Sequence, residues 1–447
     1  MPELPRTPPF TLRARLLSPR DDGGWLDEFD GLVEVDGAGR ITRAGPWPPE
    51  GAPADALDLR PMVVMPGLVD LHAHLPQLPN AGLGAGLDLL TWLDRYIFPL
   101  ERAYGERTAA RTAPAAFRAF AAAGTTTVVA YAAIWPESTE VAFAAAEAHG
   151  IRAVIGKVMM DRLTYDHEID PGEILETSLR QSDELATRWH GRDEGRLQYA
   201  FTPRFAVSCS AEMLRESAAL AERHGAYWQT HLSEDAGEIH EVRRLFPEAQ
   251  DYLDVYDRAG GVGERAILAH AIHLGRREIA RLAESRAGVA HCPASNLFLS
   301  SGMMPLGEYL RAGVRVGLGS DVAAGPELSM FTVMRAGSVT QRVLEVTGRA
   351  DRSLAVRPIE WLRLGTLGGA AVLGLANRIG SIEPGKEADL IAIDPRMTTP
   401  LLGDEPRIAS ADDVISRLIF RPHPNMVRSA WVRGRLLAGP PGIDTIG

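Results

Sequence analysis

Between residues 68 and 321 the chain alternates between apolar, strand-like runs and stretches with helical periodicity. The strand-like runs fall at 68–74, 125–133, 151–161, 197–205, 226–233, 265–271, 287–292 and 314–321. Helical stretches separate most of them, including the Ala-rich 107–123 and the amphipathic 211–224, 236–246 and 275–286. Eight β/α units within about 250 residues are the signature of a (β/α)8, TIM-like barrel. A doubly wound open sheet would carry Gly-x-Gly-x-x-Gly after its first strand, and no such run follows residue 74 here.

The two ends read as β structure outside that alternation. Leu32–Val35, a Gly-containing turn at 36–39 and Arg40–Thr42 form a hairpin pattern. Residues 45–56, rich in Pro, Gly and Ala, read as a connector. Ala388–Ile393 and Ser429–Arg433 read as strands. Neither end is long enough to bury a core alone, so the two are expected to combine into one small β-sandwich domain. The expected division is 1–64 and 376–447 for that α/β protein's small β domain, with 65–375 as the barrel. With 45% hydrophobic residues in 447, a large core is expected and bulk disorder is not.

Net charge is −11 with no basic block, which disfavours nucleic acid and anionic membranes as partners. Cys209 and Cys292 make neither a disulfide framework nor a Cys-x-x-Cys knuckle. The N-terminal MPELPRTPPF has no apolar leader core, and no apolar stretch is long enough to span a membrane. A cytoplasmic protein is expected.

Barrel active sites form at the C-terminal ends of the strands. The first strand ends in His72-Ala73-His74, whose histidines, two apart, share a face. The fifth ends at His231, the sixth at His270 and the eighth at Asp321. Histidines with one carboxylate suit zinc or ferrous iron. Taken singly, His270 would be a structural histidine and Asp321 a turn residue. Falling together at one end of successive strands, they read as a metal site. Glu234, three residues past His231, is placed to exchange protons beside the metal, with capping of the helix near Asp235 as the alternative. His149, His167, His190, His224, His240 and His423 read as solvated surface residues, and His273 and His291 as structural ones. The apolar helix Leu87–Leu100 would cover the site, form an interface or, as the preferred reading, simply pack.

On these residues the chain resembles the amidohydrolase superfamily and, within it, the guanine deaminases. The resemblance spans nearly the whole chain through MPGLVDLHAHLPQ (65–77), LTWLDRYIFPLER (90–102), IGKVMMDR (155–162), TPRFAVSCS (202–210), THLSE (230–234), LAHAIHL (268–274), AHCPASNLFLSS (290–301) and VGLGSD (316–321). It implies one zinc per subunit on His72, His74, His231 and Asp321, with iron as the other candidate. Glu234, His270 and Asp321 would be catalytic, with Glu234 as proton shuttle and His270 on the attacking water. Gln77, Arg204, Phe205 and His270 would meet the substrate. Arg204 suits a purine's O6 and N7, and Gln77 offers both donor and acceptor. The implied activity is deamination of guanine in purine catabolism, and the implied assembly a homodimer. Alternatives are another aminated ring (a pterin, an oxidised guanine, a triazine), a two-metal cyclic amidohydrolase bridged by carboxylated Lys157, and a non-catalytic scaffold relative.

Overall fold

A computed structural model describes residues 4–51, 53–166, 168–399 and 410–439. Strands β1 (Phe10–Pro19), β2 (Trp25–Val35), β3 (Ile41–Pro46) and β4 (Leu57–Pro66) come from the N-terminal end of the chain. Strands β5 (Leu68–His74), β6 (Thr125–Tyr131), β7 (Arg152–Gly156), β8 (Val158–Met159), β9 (Leu197–Pro203), β10 (Tyr227–Leu232), β11 (Ala266–His270), β12 (Gly288–His291) and β13 (Arg315–Leu318) follow. The C-terminal end supplies β14 (Leu390–Ile393), β15 (Val427–Val432) and β16 (Arg435–Leu436).

The central strands pair in parallel in the order β5-β6-β7-β9-β10-β11-β12-β13, with helices between them, and β8 pairs with β9. This is the expected (β/α)8 barrel. The run expected at 151–161 divides at Lys157 into β7 and β8. Strand β5, Leu-Val-Asp-Leu-His-Ala-His, is buried at every position. Such continuous burial is what a parallel strand under helices requires. Val69, Leu71, Val129, Val154, Ala200, Ile267 and Ala290 fill the barrel interior. Hydrogen bonds from Asp321 N to His72 O (2.7 Å) and from His74 N to Val322 O (3.0 Å) draw the last strand against the first. The approach there is close: a Cβ on Gly319 would meet the His72 backbone nitrogen at 3.2 Å and its Cβ at 2.8 Å.

The two chain ends meet in one seven-stranded sheet, β16-β15-β14-β4-β1-β2-β3. Its period-2 pattern sorts two cores. Leu390 and Ala392 of β14 join Val64 and Trp431 in a core of the sheet's own. Ile391 and Ile393, their alternates, join the barrel's outer core with Val63 and Met65. The hairpin expected at 32–42 is present as β2 and β3, and β3 extends to Pro46, into the expected connector.

Candidate metal centre and pocket

His72, His74 and His231 sit on the strands themselves, and turns depart from the ends of β10, β11 and β13. Ser233, His270, Ala271 and Asp321 have φ values of 47°, 69°, 51° and 48°, in the left-handed region that non-glycine residues rarely adopt. Such strain concentrates at functional sites, where packing over-determines it. Around Asp321, the Asp70 carboxylate holds the backbone, accepting from Ser320 N (2.9 Å) and Ser320 Oγ (2.5 Å).

The side chains converge on one point. His72 Nε2 lies 3.2 Å from His74 Nε2, and His74 Nε2 lies 3.3 Å from His231 Nε2. Asp321 Oδ1 is 3.2 Å from His72 Nε2 and 3.3 Å from His74 Nε2. Protonation explains why this arrangement needs a cation. His231 Nδ1 is 2.6 Å from the Arg204 carbonyl, which can only accept, so Nδ1 carries the proton and Nε2 a bare lone pair. That lone pair faces another imidazole nitrogen. Burial pushes His74 down to about 4 and His231 well below its ordinary value, keeping both rings neutral. Burial would raise Asp321, but the neighbouring imidazoles overcome it and hold the carboxyl well below its usual range. Neutral imidazoles and an ionised carboxylate are the forms that bind metal. The donor set therefore fits a divalent ion of the zinc or ferrous kind.

Glu234 and His270 adjoin this centre. His270 Nδ1 is 2.9 Å from Asn296 Oδ1, and its Nε2, without a hydrogen-bond partner, lies 3.4 Å from Glu234 Oε2 and 3.8 Å from Asp321 Oδ2. Burial, then the Asp321 charge, raises Glu234 well above the ordinary carboxyl range. Two carboxyls with environments that pull their pKa values apart suit one fixed charge and one proton carrier. The capping alternative for Glu234 is not what the structure shows. Asp235 caps the helix Ala236–Leu245 in a capping box with Glu238.

A cleft opens above the centre, lined in part by His74, His231, Glu234 and Asp321. Gln77, Arg204 and Phe205 line the same cleft, from the turns after β5 and β9. So do Leu89, Trp92 and Leu93. The apolar helix at 87–100 is thus part of the pocket wall, not plain packing, because its long side chains reach over the strand ends. Beneath it lies Glu101, fully buried and without a place in the sequence reading. It accepts from Gln77 Nε2 (2.8 Å), Arg204 Nη1 (2.5 Å) and Tyr165 OH (3.1 Å). Only the presence of Glu101 inside the quoted 90–102 stretch hinted at it.

Other expectations change. Lys157 sits away from the metal ligands, donating to Ser178 Oγ at 2.9 Å, and burial pushes it down to about 7. Of the histidines read as solvated, His240 is exposed. His149, His190, His224 and His423 are half-buried and hydrogen-bonded, for instance His224 Nε2 to Asp183 Oδ1 at 2.6 Å. Helix amphipathicity alone does not reveal such partners. His167 lies outside the described residues. His273 Nε2 donates to the Ser301 carbonyl (2.8 Å), and His291 is fully buried behind the barrel strands beside Trp361.

Comparison with known proteins adds context to this geometry. The Amidohydrolase family pattern matches residues 63–437. A guanine deaminase of Escherichia coli (strain K12) is 39% identical over 343 residues, 76% of this chain and 75% of that protein. A probable guanine deaminase of Deinococcus radiodurans is 36% identical over 414 residues, 91% of this chain and 92% of that protein. The crystal structure of guanine deaminase from C. acetobutylicum, with guanine bound in its active site, superposes with a TM-score of 0.87 at 28% identity. That match covers 96% of this chain and 99% of that one.

Proposed function

The chain belongs to the amidohydrolase family, and from that premise we propose that it hydrolyses guanine to xanthine and ammonia with the aid of one zinc ion. The observation that carries this reading is spatial. The converging His72, His74, His231 and Asp321, the proton-carrying Glu234, and a cleft lined by Gln77, Arg204 and Phe205 are one continuous site.

In this reading His72, His74, His231 and Asp321 hold the ion. When bound, zinc supplies a Lewis acid that makes water available as a nucleophile near pH ~7. His270 orients the attacking water through its unpartnered Nε2. Glu234 removes a proton from that water and delivers it to a ring nitrogen, so that C2 becomes tetrahedral. Glu234 or Asp321, as a carboxylate, then takes the remaining proton from the hydroxyl on C2 and passes it to the 2-amino group, which leaves as ammonia. Water contributes the new oxygen and two hydrogens, and the ring keeps one of them. Arg204 donates to the purine's O6 side, Gln77 meets the adjacent edge, and Phe205 packs on the base. A cytoplasmic homodimer completes the reading, consistent with Val339, Val343 and Val346 forming an exposed apolar stripe on the helix Met330–Val346.

Purified protein should release ammonia and form xanthine from guanine, lose that activity on chelation, and regain it with one zinc per chain. Absence of ammonia from guanine, with turnover of another aminated ring, would replace the substrate. Two tightly bound ions per chain would replace the single-metal centre.

A further inference from the structure

The Gln77 amide can present either end to a ligand, and a pocket that reads a ring edge depends on which end it presents. Glu101 decides this. An ionised carboxylate only accepts, so the Gln77 Nε2 within 2.8 Å of Glu101 Oε1 is held as the donor toward it. The carbonyl Oε1 is left for the cleft that Gln77 lines, and it has no other partner among the described residues. On its other oxygen Glu101 takes Arg204 Nη1 at 2.5 Å and Tyr165 OH at 3.1 Å. The Phe98 ring lies against the same guanidinium, 5.4 Å from its centroid. Arg204 is thereby fixed in rotation, with its remaining N–H groups the only polar atoms it can offer the cleft.

Resting on the guanine reading above, we propose that Glu101 is a positioning residue that sets the polarity of the substrate edge: donors from Arg204, an acceptor from Gln77. That order complements a ring carbonyl beside a ring N–H, the lactam edge of a 6-oxopurine. It opposes the amidine edge of a 6-aminopurine, where the exocyclic group donates and the ring nitrogen accepts. Buried groups built for one pattern are left unpaired by the other, which is how hydrogen-bonding sites obtain large discrimination. Glu101 itself touches no substrate in this account. It acts through Gln77 and Arg204.

Guanine and 2,6-diaminopurine carry the same 2-amino group but opposite polarity at N1 and C6, so the ratio of their kcat/KM values for loss of that group, the second followed as 2-oxo-6-aminopurine, reads the edge. In Glu101→Gln the neutral amide can accept or donate, and the Gln77 amide is free to turn over. The ratio should fall by about tenfold or more, mainly through a raised KM for guanine, with zinc content near that of wild type and a lowered melting temperature, since Arg204 loses its buried counter-charge. An unchanged ratio, or equal loss on both substrates, overturns the proposal. If Glu101→Gln does not fold, Glu101→Asp keeps the charge beside Arg204 but cannot reach both partners. Its ratio should fall likewise, and an unchanged ratio overturns the proposal. A zinc-loaded wild type that releases no ammonia from guanine defeats the substrate reading and this proposal with it, a result seen before any variant is made.

Discussion

Buried charge collects at both ends of the barrel, and the two collections are built differently. At the N-terminal end, Arg152 opens β7 and is almost wholly buried against the sheet. Its Nη2 donates to Glu387 Oε2 at 2.5 Å and its Nε to Asp389 Oδ2 at 3.0 Å. Arg378 takes Glu387 Oε1, and Arg433 takes Glu387 Oε2 and, through its backbone N–H, Asp389 Oδ1. Every carboxylate oxygen there has an arginine donor. At the C-terminal end, imidazole nitrogens and carboxylate oxygens face one another, and His270 Nε2 has no hydrogen-bond partner. Both clusters bear the cost of desolvation. The first pairs every carboxylate oxygen within the protein, although Arg152 Nη1 has no hydrogen-bond partner among the described residues, and it holds two parts together. The second leaves its answer to something that binds, so it can do chemistry.

Substitutions can break or sharpen that contrast. The largest effect is expected at the open end. Glu234→Gln should retain the metal, by elemental analysis, while turnover falls by about 10²- to 10⁴-fold, the worth of a proton carrier. Near-normal turnover would remove Glu234 from the chemistry. Next comes Arg152→Met, which leaves Glu387 and Asp389 short of a partner. It should destabilise the fold by about 3–5 kcal/mol in urea unfolding while each folded molecule keeps its activity. Equal loss of activity per folded molecule would show that the closed end also serves the reaction. Smaller again is Arg204→Ala. Losing a charged hydrogen bond to substrate, about 1.5–3 kcal/mol, should lower kcat/KM for guanine some ten- to hundredfold with metal content unchanged.

The last effect is in pH. Burial would raise Glu387, but Arg152 and its neighbouring arginines overcome it and hold the carboxyl at about 2 against an ordinary 4.5. A folded-state pKa below the unfolded one contributes stability that is complete above about 4.5 and lost as pH falls toward about 2. Melting temperature measured from pH 5 downward should therefore drop more steeply in wild type than in Glu387→Gln. Parallel slopes would mean that the closed cluster does not titrate on unfolding.

Much of the barrel is legible in the amino-acid order because its information is local. The strand expected at 68–74 is β5 residue for residue, and that expected at 197–205 contains β9. Short apolar runs between amphipathic helices admit few other folds. The converging ligands are legible because strand ends share a known face of the barrel. Glu101 and Tyr165 are not: Glu101 sits inside the 90–102 stretch with nothing to single it out, Tyr165 lies in no quoted stretch, and folding alone joins Glu101 to Gln77, Arg204 and Tyr165. His149 and His224 fail for the same reason: their partners, Ala438 and Asp183, are distant in the chain.

The seven-stranded sheet has a consequence in the order of synthesis. Strand β4 is translated before the barrel, but its neighbour β14, paired from Val63–Ile393 to Pro66–Leu390, is translated after it. At about 5–20 residues per second, the ribosome leaves β4 without that partner for tens of seconds. During that interval one edge of the N-terminal strands is bare, and an uncovered edge is a template for pairing with another nascent chain. The last strands to emerge thus act as a clasp, and truncation near residue 390 is expected to yield aggregates on the polysome rather than a shorter soluble barrel.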